Sequence, residues 1–222
     1  MEGVKGFFDS FKEFIWDIIG YFLPGMYLIL LLSVCIKEDF IPASTLAGDE
    51  KDFTTMGIIV IGYILGYVIY GFSYAKETLL GRFSYRMKIE EKIKSASTFK
   101  DCKELVEKEL SAKLSSGQQR NLSVREVRSI AMSKAPEADQ KIYTFTFRSE
   151  LANHIANVSM VISILGLLAK FVPFLRLTMF ETSKPVTIIY ILLPLAYFFL
   201  RYPRDRFYEI SIRLPFSIYL AK

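Results

Sequence analysis

The chain has 222 residues, 52% of them hydrophobic and 15% aromatic, with a mean hydropathy of +0.30. This apolar content exceeds what one soluble core of that size needs. Lys and Arg outnumber Asp and Glu by 28 to 23, a net charge of +5, too small an excess for a nucleic-acid binder. Two cysteines, Cys35 and Cys102, with the single His154, supply neither a disulfide framework nor a tetrahedral metal site, so no metal or cofactor is expected.

Phe7, Phe8, Phe11, Phe14, Ile15 and Ile18 recur at helical spacing, with Lys5, Asp9, Lys12 and Glu13 on the other side. Residues 1–17 therefore read as an amphipathic helix, lying at a bilayer surface with Trp16 at the interface or packing on the protein's own bundle. Acidic residues precede the first apolar run and no small-residue cleavage site follows it, so that run is expected to remain in the mature protein. Residues 18–36 form a first span, interrupted by Pro24 and Gly25. A second covers residues 56–73 and carries Gly62 and Gly66, a GxxxG pair that lets another helix backbone approach, within the chain or in a second copy.

Residues 75–148 change character abruptly: cations recur from Lys76 to Arg148, interleaved with acids such as Glu90, Glu91 and Glu104. This segment reads as a soluble helical insert, with Leu105, Val106, Leu110 and Leu114 on one apolar face. Ser123 and Glu126 form a capping box ahead of Val127, Ile130 and Ala131. Arg82, Arg86 and Lys88 follow the second span closely enough to meet anionic lipid heads. Residues 114–120, Leu-Ser-Ser-Gly-Gln-Gln-Arg, look like the signature sequence of ABC ATPases. The chain lacks the Gly-Lys-Ser or Gly-Lys-Thr phosphate loop such a domain needs, so these residues are expected to form a turn.

Apolar sequence resumes over 151–174 and again over 182–200, giving spans three and four. Glu150, Asn153, His154 and Asn157 share one face at the start of span three. A polar stripe at that depth is either a proton-sensitive, pore-lining element or a set of interhelical hydrogen bonds. A catalytic base at His154 serving Ser149 or Ser159 lacks an oriented nucleophile and a donor set for the developing charge, and no enzyme activity is expected. The basic tail, residues 201–222, carries Arg201, Arg204 and Arg206 among aromatic side chains, which suits a membrane surface or a contact with the insert. Pro203 and Pro215 are expected to limit its helical length.

The loop after span one is acidic, whereas the insert and tail hold most of the Lys and Arg. The positive-inside tendency puts both of those, and both termini, in the cytoplasm. The fold class expected is thus an all-α membrane protein: about four transmembrane helices, an N-terminal interfacial helix and a cytoplasmic helical insert between spans two and three.

With Asp17-Ile-Ile-Gly-Tyr-Phe-Leu-Pro-Gly25 and Gly62-Tyr-Ile-Leu-Gly66 placed in this layout, the chain resembles small four-span bacterial membrane proteins, among them the membrane component of the Kiwa antiphage defence system. The resemblance lies in the layout of the whole chain. It implies an inner-membrane homo-oligomer that senses disturbance and works with a cytosolic protein partner, and it carries over no residue roles. The function expected is a membrane scaffold or sensor; the competing expectation is an ion channel or membrane-disrupting effector.

Overall fold

The computed structural model describes residue 15 and residues 18–37, 51–113, 122–134, 139–172 and 177–222. Apart from Ile15, the amphipathic helix expected over residues 1–17, with Trp16, lies outside the described residues, as do the turn expected at 114–120 and most of the loop after the first apolar segment.

A π-helical turn, Ile18–Phe22, leads into α1 (Leu23–Cys35). The remaining helices are α2 (Lys51–Leu80), α3 (Tyr85–Lys94), α4 (Ser97–Lys113), α5 (Val124–Ser133), α6 (Asp139–Phe171) and α7 (Lys184–Leu220). Every regular element among the described residues is helical, and one isolated antiparallel bridge joins Ile36 to Phe180.

Three helices, α2, α6 and α7, contain stretches long and apolar enough to cross a membrane. The first apolar segment is shorter, Gly20–Cys35: its 16 residues reach about 24 Å as α-helix, against roughly 30 Å of hydrocarbon. Pro24 lies inside that segment, in the first turn of α1, where a missing N–H is tolerated, and the chain before it winds as a π-turn. α2 starts at Lys51, so the end of the expected acidic loop is already helical.

The chain divides into two compact units. The first comprises Met1–Lys76 and Glu150–Tyr202; the second comprises Glu77–Ser149 and Pro203–Lys222.

In the first unit, glycine sets how closely helices approach. A Cβ on Gly25 would land on the carbonyl oxygen of Gly62, and one on Gly66 would land on that of Tyr21. Gly62 and Gly66 therefore face the segment 21–26 of the same chain, where absent side chains let backbone meet backbone. Tyr21 stacks on Tyr67 at 4.2 Å between ring centroids, beside Tyr70 and Tyr63. At the far end of α1, Lys37 N–H donates to Met179 and Glu181 N–H to Cys35, while the buried Tyr190 hydroxyl donates to the carbonyls of Cys35 and Glu181 at 3.0 Å each. A Cβ on Gly166 would strike the Tyr190 ring, so α6 and α7 pack there through ring and backbone.

The second unit has an ordinary apolar core. Tyr85, Ile89 and Ile93 of α3 meet Phe99, Cys102 and Val106 of α4, Val124, Val127 and Ala131 of α5, and Tyr208, Ile212, Phe216 and Tyr219 of α7. Each set recurs every three or four residues, the period that gathers one helix face. Ser123 caps α5 with Glu126 in a reciprocal capping box. Of the apolar face expected on α4, Val106 and Leu110 pack on the core and Leu105 does not, while Leu114 lies outside the described residues. Phe99, Cys102 and Val106 are buried and Leu110 is partly so, whereas Leu105 is 45% exposed; Leu105 directly precedes Val106 and so points about 100° away around the helix.

Two expectations for the tail are corrected. α7 runs unbroken through Pro203 and Pro215 to Leu220. Each proline removes one intrahelical hydrogen bond, and burial of Tyr208, Ile212, Phe216 and Tyr219 against α3–α5 offsets that loss. Arg204 is 4% exposed, with its guanidinium 3.9 Å from the Tyr85 ring centroid and its Nη2 2.6 Å from Asp205 Oδ1. It packs inside this unit against Tyr85, the contact with the insert that the tail's make-up also allowed, instead of standing exposed for a lipid head.

Candidate functional site

Membrane spans normally hide polar side chains from lipid, and α6 does so along much of its length. In its most apolar stretch 56% of residues are buried, against 17% in α2 and 11% in α7, so α6 is the inner helix and the others keep apolar faces outward. Val60, Ile64 and Val68 of α2 and Ile188, Leu195 and Phe199 of α7 are all exposed.

The polar stripe predicted at 150, 153, 154 and 157 lies on α6, and α2 supplies its partners. Lys76 Nζ donates to Asn157 Oδ1 at 2.5 Å; Asn157 Nδ2 donates to Ser73 Oγ at 2.9 Å; Ser73 Oγ lies 3.0 Å from His154 Nδ1. His154 Nε2 is 3.9 Å from Glu150 Oε2, and the Tyr70 ring meets the imidazole edge-on at 5.8 Å. The lysine fixes the orientation of the Asn157 amide, whose NH2 then donates to the Ser73 oxygen; which atom donates in the Ser73–His154 contact is set by the imidazole tautomer.

The network joins α2 to α6 in the interior of the first unit, with Ser73 2%, His154 1% and Asn157 4% exposed. Asn153 is different: it is fully buried, and neither its Oδ1 nor its Nδ2 has a hydrogen-bond partner among the described residues. Further along α6, Ser159 Oγ meets Tyr27 of α1 at 2.8 Å and Ser163 donates to the Tyr190 carbonyl of α7 at 2.7 Å. These serine contacts extend the inward polarity of the helix in a milder form.

Ser73 and His154 together make the contact of a nucleophile and its base. Both are enclosed, Ser73 also accepts from Asn157, and His154 Nε2 stands 3.9 Å from Glu150, so the contact links α2 to α6. The serines weighed as partners for His154 are engaged elsewhere: Ser149 Oγ donates to the Arg204 carbonyl, and Ser159 Oγ bonds Ile155 and Tyr27.

Sequence reasoning missed Ser73 and Lys76. They stand three apart on α2, where its apolar stretch gives way to charge, and that spacing was the available signal for a polar face matching the α6 stripe.

The cations picked for lipid contact fall into different settings. Lys88, Arg201 and Arg206 are exposed, with Arg201 5.9 Å from the Tyr197 ring. Arg86 is half-buried between the Tyr85 and Tyr208 rings of the second unit and donates to the Tyr85 hydroxyl; Arg204 is internal, as described above. The side chain of Arg82 is outside the described set.

Among the described residues no group of three or more His, Cys, Asp or Glu is arranged to hold a metal ion. No protein-family model, no curated protein and no solved structure matches the chain.

Proposed function

We propose that the chain is a multi-pass protein of the bacterial inner membrane, crossing it about four times, that acts as a non-enzymatic, oligomeric scaffold or sensor and recruits a cytosolic protein. On this reading α1 with its π-turn serves as the short span, thinning the bilayer or drawing in flanking residues to make up its length. The observation that carries the proposal is the division of one chain into two units of opposite solvent chemistry. One keeps large apolar side chains outward and buries a polar network; the other has an apolar core, a charged surface and enough size to bind a partner.

The positive-inside tendency assigns the second unit to the cytoplasm. The likeness to the Kiwa membrane component makes antiphage defence the setting in which such recruitment would operate. The competing channel reading requires Glu150, Asn153, His154 and Asn157 of several copies to line one pore. The near-complete burial of Asn153, His154 and Asn157 within a single chain weighs against it.

Affinity capture of the intact protein in mild detergent, beside a form in which residues 81–138 are replaced by a short linker, tests recruitment. A cytosolic protein recovered with the first and absent from the second is the expected outcome. Equal recovery with both would refute the proposal, and stimulus-dependent ion flux through liposomes carrying the purified protein would favour the channel.

A further inference from the structure

The second unit contains a half-open cavity of about 520 Å³ lined by Lys94, Phe99, Lys100, Lys103, Leu122 and Ser123. Three elements meet there: the C-terminal end of α3 gives Lys94, the first two turns of α4 give Phe99, Lys100 and Lys103, and the N-cap of α5 gives Ser123. None of these residues takes part in the polar network of the first unit.

Its floor and rim differ in chemistry. Phe99 and Leu122 are 5% and 8% exposed and belong to the apolar core. Lys94 and Lys100 are exposed and have no ion-pair or side-chain hydrogen-bond partner among the described residues. Lys103 lies 3.6 Å from Glu107, whose carboxylate also accepts from the Leu122 N–H at 3.5 Å; its charge is therefore shared and its position set. Three other cations of this unit are paired with acids, Lys92 with Glu209, Arg125 with Glu90 and Lys134 with Glu109. Two ammonium groups without an acidic partner among the described residues, and a third half-neutralised one, thus border a concavity whose size falls in the range of small-ligand sites.

We propose that this cavity binds a small phosphate-bearing ligand, with the phosphate held by Lys94, Lys100 and Lys103 and the less polar body of the ligand against Phe99 and Leu122. A phosphate monoester brings a charge near −2 and three acceptor oxygens, which matches several independently placed ammonium groups better than a single carboxylate does. The α5 N-terminus adds a weakly positive pole beside Ser123, tempered by the Glu126 of its capping box. The same headgroup chemistry is offered by a soluble phosphate ester and by a phosphoinositide in the bilayer. An acidic peptide would need an elongated groove, whereas this half-open cavity, bordered by six described residues, has the size of one small molecule.

The test uses the full-length protein in nanodiscs. In one arm the lipid is zwitterionic and AMP is titrated by calorimetry; in the other, phosphatidylinositol 4-phosphate is added to the lipid and the thermal unfolding midpoint is read. Binding of AMP, or a rise in midpoint with the phosphoinositide, assigns the source. Lys94→Glu with Lys100→Glu should weaken binding at least about tenfold, the loss of one charge-assisted contact or more. Lys108→Glu, an exposed lysine of α4 outside the cavity, should leave it unchanged. Lys94→Gln and Lys100→Gln, which remove charge without adding repulsion, should each weaken it by a smaller factor. The proposal is overturned if neither arm binds, if the double variant binds as well as the parent, if Lys108→Glu loses as much, or if a hexaglutamate peptide binds this site more tightly than AMP.

Discussion

The two units solve the burial of polar groups in opposite ways. In the second, apolar faces of α3, α4, α5 and the C-terminal part of α7 turn inward, and apart from the buried, paired Glu90 and Arg204 the charges described above are paired at the surface or left in water. In the first, the inner helix α6 carries Asn153, His154, Asn157, Ser159 and Ser163 inward, and α2 and α7 turn Val60, Ile64, Val68 and Phe199 outward. The same side-chain types therefore occupy opposite positions in one chain. What decides their placement is the solvent: where water surrounds a unit the apolar face must hide, and where hydrocarbon surrounds it the hydrogen-bonding groups must. In the first unit small residues and polar contacts join helices beside an apolar cluster that includes Leu31, Ile69, Val158, Ile162 and Leu193.

The largest effect on this contrast should come from filling the glycine contact. Gly25→Leu drives a side chain into the backbone of Gly62, where no rotamer relieves the clash. It should separate α1 from α2 and abolish recovery of folded, monodisperse protein in detergent. Gly57→Ala serves as the control: a Cβ there meets nothing within 4 Å, so the variant should be tolerated. Size-exclusion profiles of the two variants check this.

Next is the water-facing core. Phe216→Ala removes a fully buried ring packed edge-on to Phe99 at 5.4 Å and should cost about 3–5 kcal/mol. Hydrogen exchange should rise across α3–α5 while the network of Ser73, His154 and Asn157 in α2 and α6 stays protected. Loss of protection in both regions alike would show that the units do not have separate cores.

Two smaller changes sharpen the account of the polar interior. Ser73→Ala strands the Asn157 NH2 and His154 Nδ1 and should lower stability by roughly 1–3 kcal/mol. Asn153→Leu replaces an unpartnered buried amide with an apolar side chain of similar shape and should be neutral or stabilising by about 1 kcal/mol. Thermal midpoints in the same detergent compare them; the opposite order would mean that Asn153 has a bound partner and that the Ser73 link is dispensable.

The smallest effect concerns Cys102. Burial pushes its thiol up to about 11, whereas an unfolded chain releases that proton near pH ~8.5. The folded form holds the proton more tightly, so this contribution to stability is complete below about pH 8.5 and is lost as pH rises toward 11. Maleimide labelling of Cys102 at about pH 7, well below either value, should be slow in the folded protein and fast after Val106→Asp opens the core. Rapid labelling of the parent would contradict its burial.

Much of the helical layout was legible because both kinds of signal are local. Apolar runs mark α2, α6 and the first half of α7, and the Ser123–Glu126 capping box marks the start of α5. The α6 stripe was legible from the spacing of Glu150, Asn153, His154 and Asn157. What spacing could not reveal is which residues on another helix answer it. Ser73 lies 84 residues from Asn157 and Lys76 lies 81; their spacing of three marks a polar face on α2 but not the distant helix that it meets. The C-terminal part of α7 was misread for a related reason: Pro203 and Pro215 are locally unfavourable to a helix, and the core that outweighs them is assembled from distant segments. Arg204 likewise looked like a lipid-facing cation because the Tyr85 ring that receives it is far away in the chain.

The most direct measurement of the central claim is photolabelling of the protein in lipid vesicles with a membrane-confined diazirine, read by peptide mass spectrometry. The account predicts adducts on the outward residues of α2 and α7, such as Val60, Ile64, Val68 and Phe199, and none on α3, α4 or α5. Adducts spread evenly over both units, or concentrated on α3–α5, would contradict it.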